Sequence, residues 1–205
     1  MPAPDFSLTP ERLRESLDQR AARTVDGPQA AVAVVFRDGD RGTELLFIQR
    51  ATKPSDPWSG HMAFPGGRVD PNDADTFAAA ERETLEEVGL DLTGAPRVGS
   101  LDDHDGGRIH NNLRAVSPHG YWLNGERPPL ENNYEVADSL WVPMADLADP
   151  DRHIEYYWPK SDSSWPGIQL DHPEQVIWGM TLRFLGNLFA RLDEPFIELA
   201  PPRYT

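Results

Sequence analysis

The segment from Arg82 to Leu90 constrains this chain most, because it combines a helical pattern with concentrated negative charge. Glu83, Glu86 and Glu87 stand at helical positions i, i+3 and i+4, so their carboxylates share one face. Carboxylates at this spacing repel each other, so a surface helix has no stability reason to collect them. Mg²⁺ prefers oxygen ligands, and phosphates often complete its coordination shell. The cluster therefore indicates a site for a hard divalent cation.

A glycine-rich turn, Phe64-Pro65-Gly66-Gly67, lies upstream of this predicted helix. Glycine lets the backbone approach a ligand closely and adopt turn conformations that other residues avoid. A turn of this kind leading to a helix with clustered carboxylates indicates metal-assisted chemistry on a phosphorylated substrate.

Residues 67–90 resemble the Nudix box, G-x5-E-x7-R-E-U-x-E-E-x-G-U, where U is aliphatic. The positions that fall in register are Arg82, Glu83, Glu86, Glu87, Gly89 and Leu90. The chain departs from the pattern at Asp73, which replaces the first glutamate, and at Thr84, which replaces an aliphatic residue. The gap from Asp73 to Arg82 is also one residue longer than in the pattern.

The longer gap is similar to the coenzyme A pyrophosphatase branch of that family. The segments 60–67, 132–136 and 178–181 also resemble parts of that branch. Asp56 occupies the position of an arginine in the branch, which reverses the charge there. We therefore expect Asp56→Arg to improve the use of coenzyme A relative to its dephospho form.

The mixture of strands and helices without strict alternation fits α+β or an α/β/α sandwich with a mixed sheet. The resemblance implies the second: an α/β, Nudix-type α/β/α sandwich with a mixed β-sheet. We expect a single domain over residues 1–205, with an N-terminal helical extension at 1–28 and the box at 67–90. Thr9 and Pro10 predict the start of the first helix, and the apolar periodicity of 172–192 predicts the last.

The resemblance further implies that Glu83, Glu86 and Glu87 hold Mg²⁺ or Mn²⁺ and serve catalysis, with Arg82 orienting a glutamate. Asp73 has two interpretations: it reaches the metal through water, or it caps the helix, for which aspartate is well suited.

Glu135 is a candidate base or additional metal ligand from outside the box, and a structural ion pair is the alternative. Arg50 and Lys53 are candidate contacts to substrate phosphates, although exposed cations are common. Gly66 and Gly67 are candidate substrate-binding residues, and a plain turn is their alternative. The stretch with Asp102, Asp103, His104, His110 and His119 matches no metal motif, so it is interpreted as a solvated loop or a specificity loop.

The net charge of −15 argues against nucleic-acid and anionic-membrane partners, because phosphate backbones select basic surfaces. The chain has no cysteine, which excludes disulfides and thiol catalysis, and no apolar signal segment, so we expect a cytoplasmic protein. The expected partner is a small-molecule nucleoside diphosphate derivative; a homodimer is kept as an alternative for the assembly.

The predicted function is Mg²⁺- or Mn²⁺-dependent hydrolysis of the diphosphate bond in a nucleoside diphosphate linked to another group. Coenzyme A or a derivative is the first candidate substrate. NADH, ADP-ribose and diadenosine polyphosphates are alternative substrates. A nucleotide-binding module without catalysis predicts loss of the metal-binding glutamates, which this chain retains. An isoprenoid diphosphate isomerase would need a cysteine, and this chain has none.

Overall fold

The computed structural model describes residues 6–26, 30–53, 58–105, 115–199 and 203–204, so Asp56 and His110 lie outside the described residues. The helices are α1 (Pro10–Asp18), α2 (Thr76–Val88), α3 (Met144–Ala148) and α4 (Gly179–Leu192), with a 3-10 turn at Pro150–Arg152. The strands are β1 (Ala30–Gly39), β2 (Gly42–Arg50), β3 (Met62–Ala63), β4 (Gly66–Arg68), β5 (Arg97–Ser100), β6 (Val116–Leu123), β7 (Val136–Pro143), β8 (His153–Trp158), β9 (Ser163–Gln169), β10 (Val176–Trp178) and β11 (Arg203–Tyr204).

The central sheet is mixed, and within the described ranges it has seven strands. Its main order is β3-β2-β1-β6-β5, with β4 beside β1 and β7 beside β2. β1 and β6 run parallel, whereas β2 pairs antiparallel with both β1 and β7. A parallel pair requires a crossover connection, and α2 lies on the chain between β1 and β6.

Alternate residues of β1 and β2 feed two separate cores, as the two-residue period of a strand requires. One core combines Ala31, Ala33 and Val35 of β1 with Ala79 and Ala80 of α2. The other combines the intervening β1 residues with buried side chains of α1 and α4. The predicted α/β/α sandwich with a mixed sheet is therefore confirmed.

The first helix begins as the sequence predicts. The Thr9 hydroxyl accepts a hydrogen bond from the Arg12 amide at 3.2 Å, and Pro10 occupies the first turn. Leu13 and Leu17 are buried and fix the helix to the domain. The helix ends at Asp18, and residues 19–26 are not helical, so the helix occupies only part of the 1–28 extension.

The predicted helix over residues 172–192 is wrong at its start. Residues 176–178 form β10, which pairs antiparallel with β9, and the helix begins only at Gly179. Val176 and Ile177 are β-branched, and Ile177 is completely buried opposite Ile168 of β9. Pairing with β9 therefore determines the structure of this segment, although its apolar residues also recur at helical intervals. Gly179 has φ of 60°, a value glycine tolerates, and it permits the change of direction.

A second sheet lies beside the first, and the sequence did not predict it. In the part of the chain that the structure describes, β9 is paired with β8, β10 and β11, all antiparallel. None of the helices in the described ranges combines the length and apolarity needed to cross a bilayer.

Candidate active site

Helix α2 presents the predicted carboxylate cluster. The Asp75 side chain caps its N-terminus by accepting from the Ala78 amide at 2.8 Å, and Gly89 ends it in the left-handed region at φ of 69°. One side of the helix packs its small residues Ala79 and Ala80 against β1. The glutamates are thereby held at the edge of a rigid packed helix.

Glu87 is the most buried carboxylate of the cluster, with 4% of the residue exposed. One of its oxygens accepts a hydrogen bond from the Gly66 amide at 2.8 Å. Burial raises its pKa to about 7; the Gly66 bond and Arg50 oppose this rise, whereas Glu83 and Glu135 add to it. Glu87 is therefore a carboxylate whose charged form the protein alone stabilises poorly.

Glu83 lies against the backbone of β4. A Cβ atom at Gly67 would come within 2.5 Å of the Glu83 carboxyl carbon, so a larger residue there would displace this carboxylate. Burial raises the pKa of Glu83, and the charges of Glu86 and Glu135 act in the same direction, against the effect of Arg82. Gly67 therefore has a steric role next to the cluster.

Gly66 is equally constrained, but by the sheet. A Cβ atom there would lie 2.3 Å from the Ala31 carbonyl oxygen, and its φ is 149°. The strand pairing of Gly66 with Val32 positions its N–H toward Glu87. These observations explain both glycines by packing, and their contact with a substrate remains a prediction.

Arg82 is the centre of the local ion-pair network. Its guanidinium donates to both Asp73 oxygens at 3.0 Å, to Glu83 at 2.9 Å and to Glu86 at 3.3 Å. It also donates to the Arg68 carbonyl at 2.9 Å. These bonds, above all the one to Asp73, raise its pKa and hold it charged. Arg82 is thus placed to orient Glu83 and Glu86, as the resemblance implies.

Asp73 does not cap the helix, and its contact with a metal through water remains a prediction. Its hydrogen bonds to Arg82 lower its pKa, and the helix cap is Asp75. The cap interpretation is therefore wrong. The sequence signal for the actual role was available, since Asp73 stands at the first acidic position of the box and Arg82 at its arginine.

Glu135 forms an ion pair with Lys53, whose ammonium lies 2.5 Å from the carboxylate. The same ammonium lies 4.8 Å from the centre of the Tyr134 ring. The Glu135 carbonyl accepts from the Ala51 amide at 2.7 Å, which ties this loop to the end of β2. The charge of Glu135 also raises the pKa of both Glu83 and Glu87, so it belongs to the same electrostatic region.

The structure places both predicted phosphate-binding cations near the carboxylates. The charge of Arg50, at the end of β2, lowers the pKa of Glu87, and Lys53 holds Glu135. Glu135 therefore forms the structural ion pair that was the alternative to a catalytic role. The contact of Arg50 and Lys53 with substrate phosphates remains a prediction.

The donor chemistry of the cluster fits a divalent cation. Glu83, Glu86 and Glu87 supply carboxylate oxygens, and Glu83 is destabilised in its charged form by both Glu86 and Glu135. Among the described residues, however, no three His, Cys, Asp or Glu side chains converge on one point that would hold a metal. Arg82 engages Glu83 and Glu86, so these two side chains would have to turn, and Glu86, 55% exposed, has room to do so.

The solvated-loop interpretation of residues 102–119 is wrong for three of its side chains. Asp102 accepts hydrogen bonds from the Arg23 amide and from Arg191, and Asp103 is buried beside the same N-terminal segment. His119 is buried between the Ser100 and Thr76 hydroxyls at 2.8 Å each, and burial lowers its pKa to about 4. These residues join elements of the fold.

Comparisons with known proteins agree with the box. The family model described as NUDIX domain matches residues 27–160. The mitochondrial coenzyme A diphosphatase NUDT8 of Mus musculus is 35% identical over 175 residues, which cover 83% of this chain and 81% of that protein. An uncharacterised Nudix hydrolase, NudL, of Salmonella paratyphi B is 30% identical over 188 residues, which cover 88% of this chain and 87% of that protein.

An uncharacterised protein of Schizosaccharomyces pombe is 39% identical over 114 residues, or 52% of this chain. That alignment spans only 34% of the yeast protein's length. The similarity therefore concerns one part of a longer relative.

Proposed function

The chain belongs to the Nudix hydrolase family, and from that premise we propose that it hydrolyses the P–O–P bond of a nucleoside diphosphate linked to another group. The observation that carries the proposal is the carboxylate cluster of α2, in which Glu83 and Glu86 share the Arg82 guanidinium and Glu87 is buried against Gly66 with its pKa raised to about 7. Coenzyme A or a derivative is the first candidate substrate, because NUDT8, named a coenzyme A diphosphatase, aligns over most of both chains.

Glu83, Glu86 and Glu87 would hold the divalent cation. When bound, Mg²⁺ or Mn²⁺ neutralises phosphate charge and increases the acidity of coordinated water. Arg82 keeps Glu83 and Glu86 beside the site through its hydrogen bonds, from which both carboxylates would turn to the cation, and Asp73 accepts two further bonds from Arg82. The Gly66 amide fixes the orientation of the third carboxylate, Glu87.

The chemical step needs a proton acceptor and cations for the phosphates. We assign the proton of the attacking water to Glu135, whose carboxylate lies near the cluster and forms an ion pair with the partly exposed Lys53. The water oxygen forms a bond to one phosphorus, the bridging P–O bond breaks, and its electron pair leaves with the second phosphate. Lys53 and Arg50 face the negative charge of the two phosphates, with Lys53 exchanging Glu135 for a phosphate oxygen.

A panel of diphosphate compounds tests the proposal. Coenzyme A, dephospho-coenzyme A, NADH, ADP-ribose and diadenosine polyphosphates would be incubated with Mg²⁺ or Mn²⁺, and products would be separated by chromatography. We expect cleavage into two phosphate-bearing products with at least one compound, only when metal is present. Absence of cleavage of every compound by a folded protein, or cleavage that persists in EDTA, would contradict the proposal.

A further inference from the structure

Tyr134 is the most exposed of the large hydrophobic side chains that the structure describes, at 82%, and the roles assigned above leave its ring without a function. The Lys53 ammonium lies 4.8 Å from the centre of this ring. A cation within about 6 Å of a ring centre is attracted by the negative charge of the ring face. The contact therefore links the ring to one of the two cations proposed to face the phosphates.

The turn that carries Tyr134 is attached to the end of α2. The Val136 amide donates to the Asn133 carbonyl at 3.3 Å, which closes a turn with Tyr134 and Glu135 at its centre. The Asn133 amide donates to the Glu87 carbonyl at 2.8 Å, and the Asn133 side-chain oxygen accepts from the Glu135 amide at 2.7 Å. The backbone of Tyr134 is thereby fixed relative to the carboxylate cluster.

Lys53 is restrained at both ends of its side chain. Its amide donates to the Ser59 hydroxyl at 2.9 Å, and this hydroxyl donates back to the Lys53 carbonyl at 2.7 Å. Its ammonium contacts the Glu135 carboxylate and the ring of Tyr134, and its side chain is only 38% exposed. A long cationic side chain is therefore held in one place beside the candidate active site.

The two partners of the ammonium affect it differently. The Glu135 carboxylate neutralises the charge of Lys53 and competes with a phosphate for it. The Tyr134 ring has no net charge, so it attracts the cation without neutralising it. A lysine side chain also loses rotamer freedom when a phosphate fixes it, and a ring that already restrains the side chain reduces this loss.

We propose that Tyr134 is a positioning residue, whose ring keeps the Lys53 ammonium charged and in place while Lys53 exchanges Glu135 for a phosphate oxygen. The inference rests on the proposed function, because it needs a diphosphate beside Lys53. It gives Tyr134 no contact with the substrate and no part in the chemical step. Loss of the ring should therefore weaken diphosphate binding only through Lys53.

Selective ¹³C labelling of lysine tests the contact in the free protein, because Lys53 and Lys160 are the only lysines of the chain. A proton over the face of an aromatic ring is shifted upfield. The ε-methylene signal of Lys53 should therefore move downfield in Tyr134→Leu and keep its position in Tyr134→Phe, which retains the ring. Lys53→Met assigns the signal by removing it. An unchanged Lys53 signal in folded Tyr134→Leu overturns the proposal.

Titration calorimetry with methylenediphosphonate, a diphosphate analogue that resists hydrolysis, tests the effect on binding in saturating Mg²⁺. Tyr134→Leu should raise its Kd about two- to fivefold, the size expected for an exposed cation–π contact. Tyr134→Phe should bind like the wild type. In a Lys53→Met background, Tyr134→Leu should have no further effect, because the ring acts only through the cation.

Tyr157→Leu is the matched control. Tyr157 is an exposed tyrosine of β8 whose hydroxyl donates to Asp162 at 2.7 Å, so its removal should leave the Kd unchanged. Thermal melts would verify that every variant is folded. A loss of affinity that persists in the Lys53→Met background overturns the proposal, as does a full loss in Tyr134→Phe or an absence of binding by the wild type.

The substrate panel separates the two proposals. Coupling between Tyr134 and Lys53 in the Kd, without hydrolysis of any diphosphate, would leave the positioning residue standing and remove the proposed function. Hydrolysis without such coupling would do the reverse.

Discussion

The ion-pair networks around Arg82 and around Asp102 use the same kinds of side chain with opposite excess of charge. At Arg82, one guanidinium is shared by Asp73, Glu83 and a third carboxylate. At Asp102, one carboxylate accepts from two guanidiniums, those of Arg20 and Arg191, and from an asparagine amide. In the first network three carboxylates share one guanidinium, so negative charge is in excess. In the second network two guanidiniums neutralise the charge of one carboxylate.

The pKa values record this difference. Burial raises the pKa of Glu83 and of Glu87, so both are poorly stabilised in the charged form. Burial opposes the charge of Asp102 as well, but hydrogen bonds from the Arg23 amide and the arginine side chains hold its pKa below the ordinary value. A carboxylate cluster that the protein leaves uncompensated is a candidate for binding a cation, and a compensated one is structural.

The largest effect should come from neutralising the α2 cluster. Glu86→Gln and Glu87→Gln each remove a proposed metal ligand with little change of shape. Loss of an outer partner of a metal site costs about 10–100-fold, so loss of a direct ligand should lower kcat further, by about 10³-fold. Folding should survive, because like-charge repulsion is relieved. Steady-state rates and thermal melts measure both; wild-type rates in either variant would remove that residue from the site.

Asp102→Asn should lower the stability of the protein and leave its activity unchanged, the reverse of the effect expected for the glutamate variants. The substitution leaves Arg191, which is 7% exposed, without its carboxylate partner. Breaking a buried ion pair in this way costs roughly 3–5 kcal/mol, and we expect about 3 kcal/mol here. Urea unfolding measures the loss, and kcat and KM at a temperature where the variant is folded should match the wild type. A variant as stable as the wild type would contradict the comparison.

Glu135→Gln should have an intermediate effect. If this carboxylate accepts the proton, kcat should fall by about 100-fold with KM nearly unchanged. Lys53→Met breaks the same ion pair while keeping the carboxylate; it should raise KM through the lost phosphate contact but keep the acidic limb of the kcat profile. The measurement is kcat against pH at saturating Mg²⁺, in which the wild type should show an acidic limb that the variant lacks. Superimposable profiles would assign Glu135 to the loop structure alone.

The smallest effect is the pH dependence of stability. Because the folded pKa of Glu87 is raised to about 7, its contribution is present below the unfolded value near 4.5 and is lost as pH rises through 7. Between pH 5 and pH 8 in EDTA, the free energy of unfolding should fall by at least about 1 kcal/mol more in the wild type than in Glu87→Gln. Parallel curves for the two proteins would show that Glu87 is not destabilised by burial.

The sequence predicted the elements whose signals are local. Gly89 ends α2 after Val88, and Thr9 caps α1; both were predictable because a cap or a stop depends on neighbouring residues. The sandwich followed from the resemblance and is confirmed. The start of α4 was wrong because Val176 and Ile177 satisfy a strand as well as a helix, and the choice depends on pairing with β9.

Contacts between distant residues escaped prediction. Asp102 and Arg191 are 89 positions apart, so nothing local distinguishes this carboxylate from a solvated one. The contacts of the Trp158 ring with Trp58 and Trp178 likewise depend on a second sheet that the sequence did not reveal. The residues of the box were found because they lie within one helix and the turn before it, although their roles remain predictions.

Direct measurement of Mn²⁺ binding tests the central claim, that the uncompensated carboxylates of α2 hold a divalent cation. Titration followed by electron paramagnetic resonance would compare the wild type with Glu87→Gln, Glu86→Gln and Asp102→Asn at pH 8. We predict saturable binding by the wild type and by folded Asp102→Asn, with strong loss in both glutamate variants. Equal Mn²⁺ affinity in all four proteins would contradict the account.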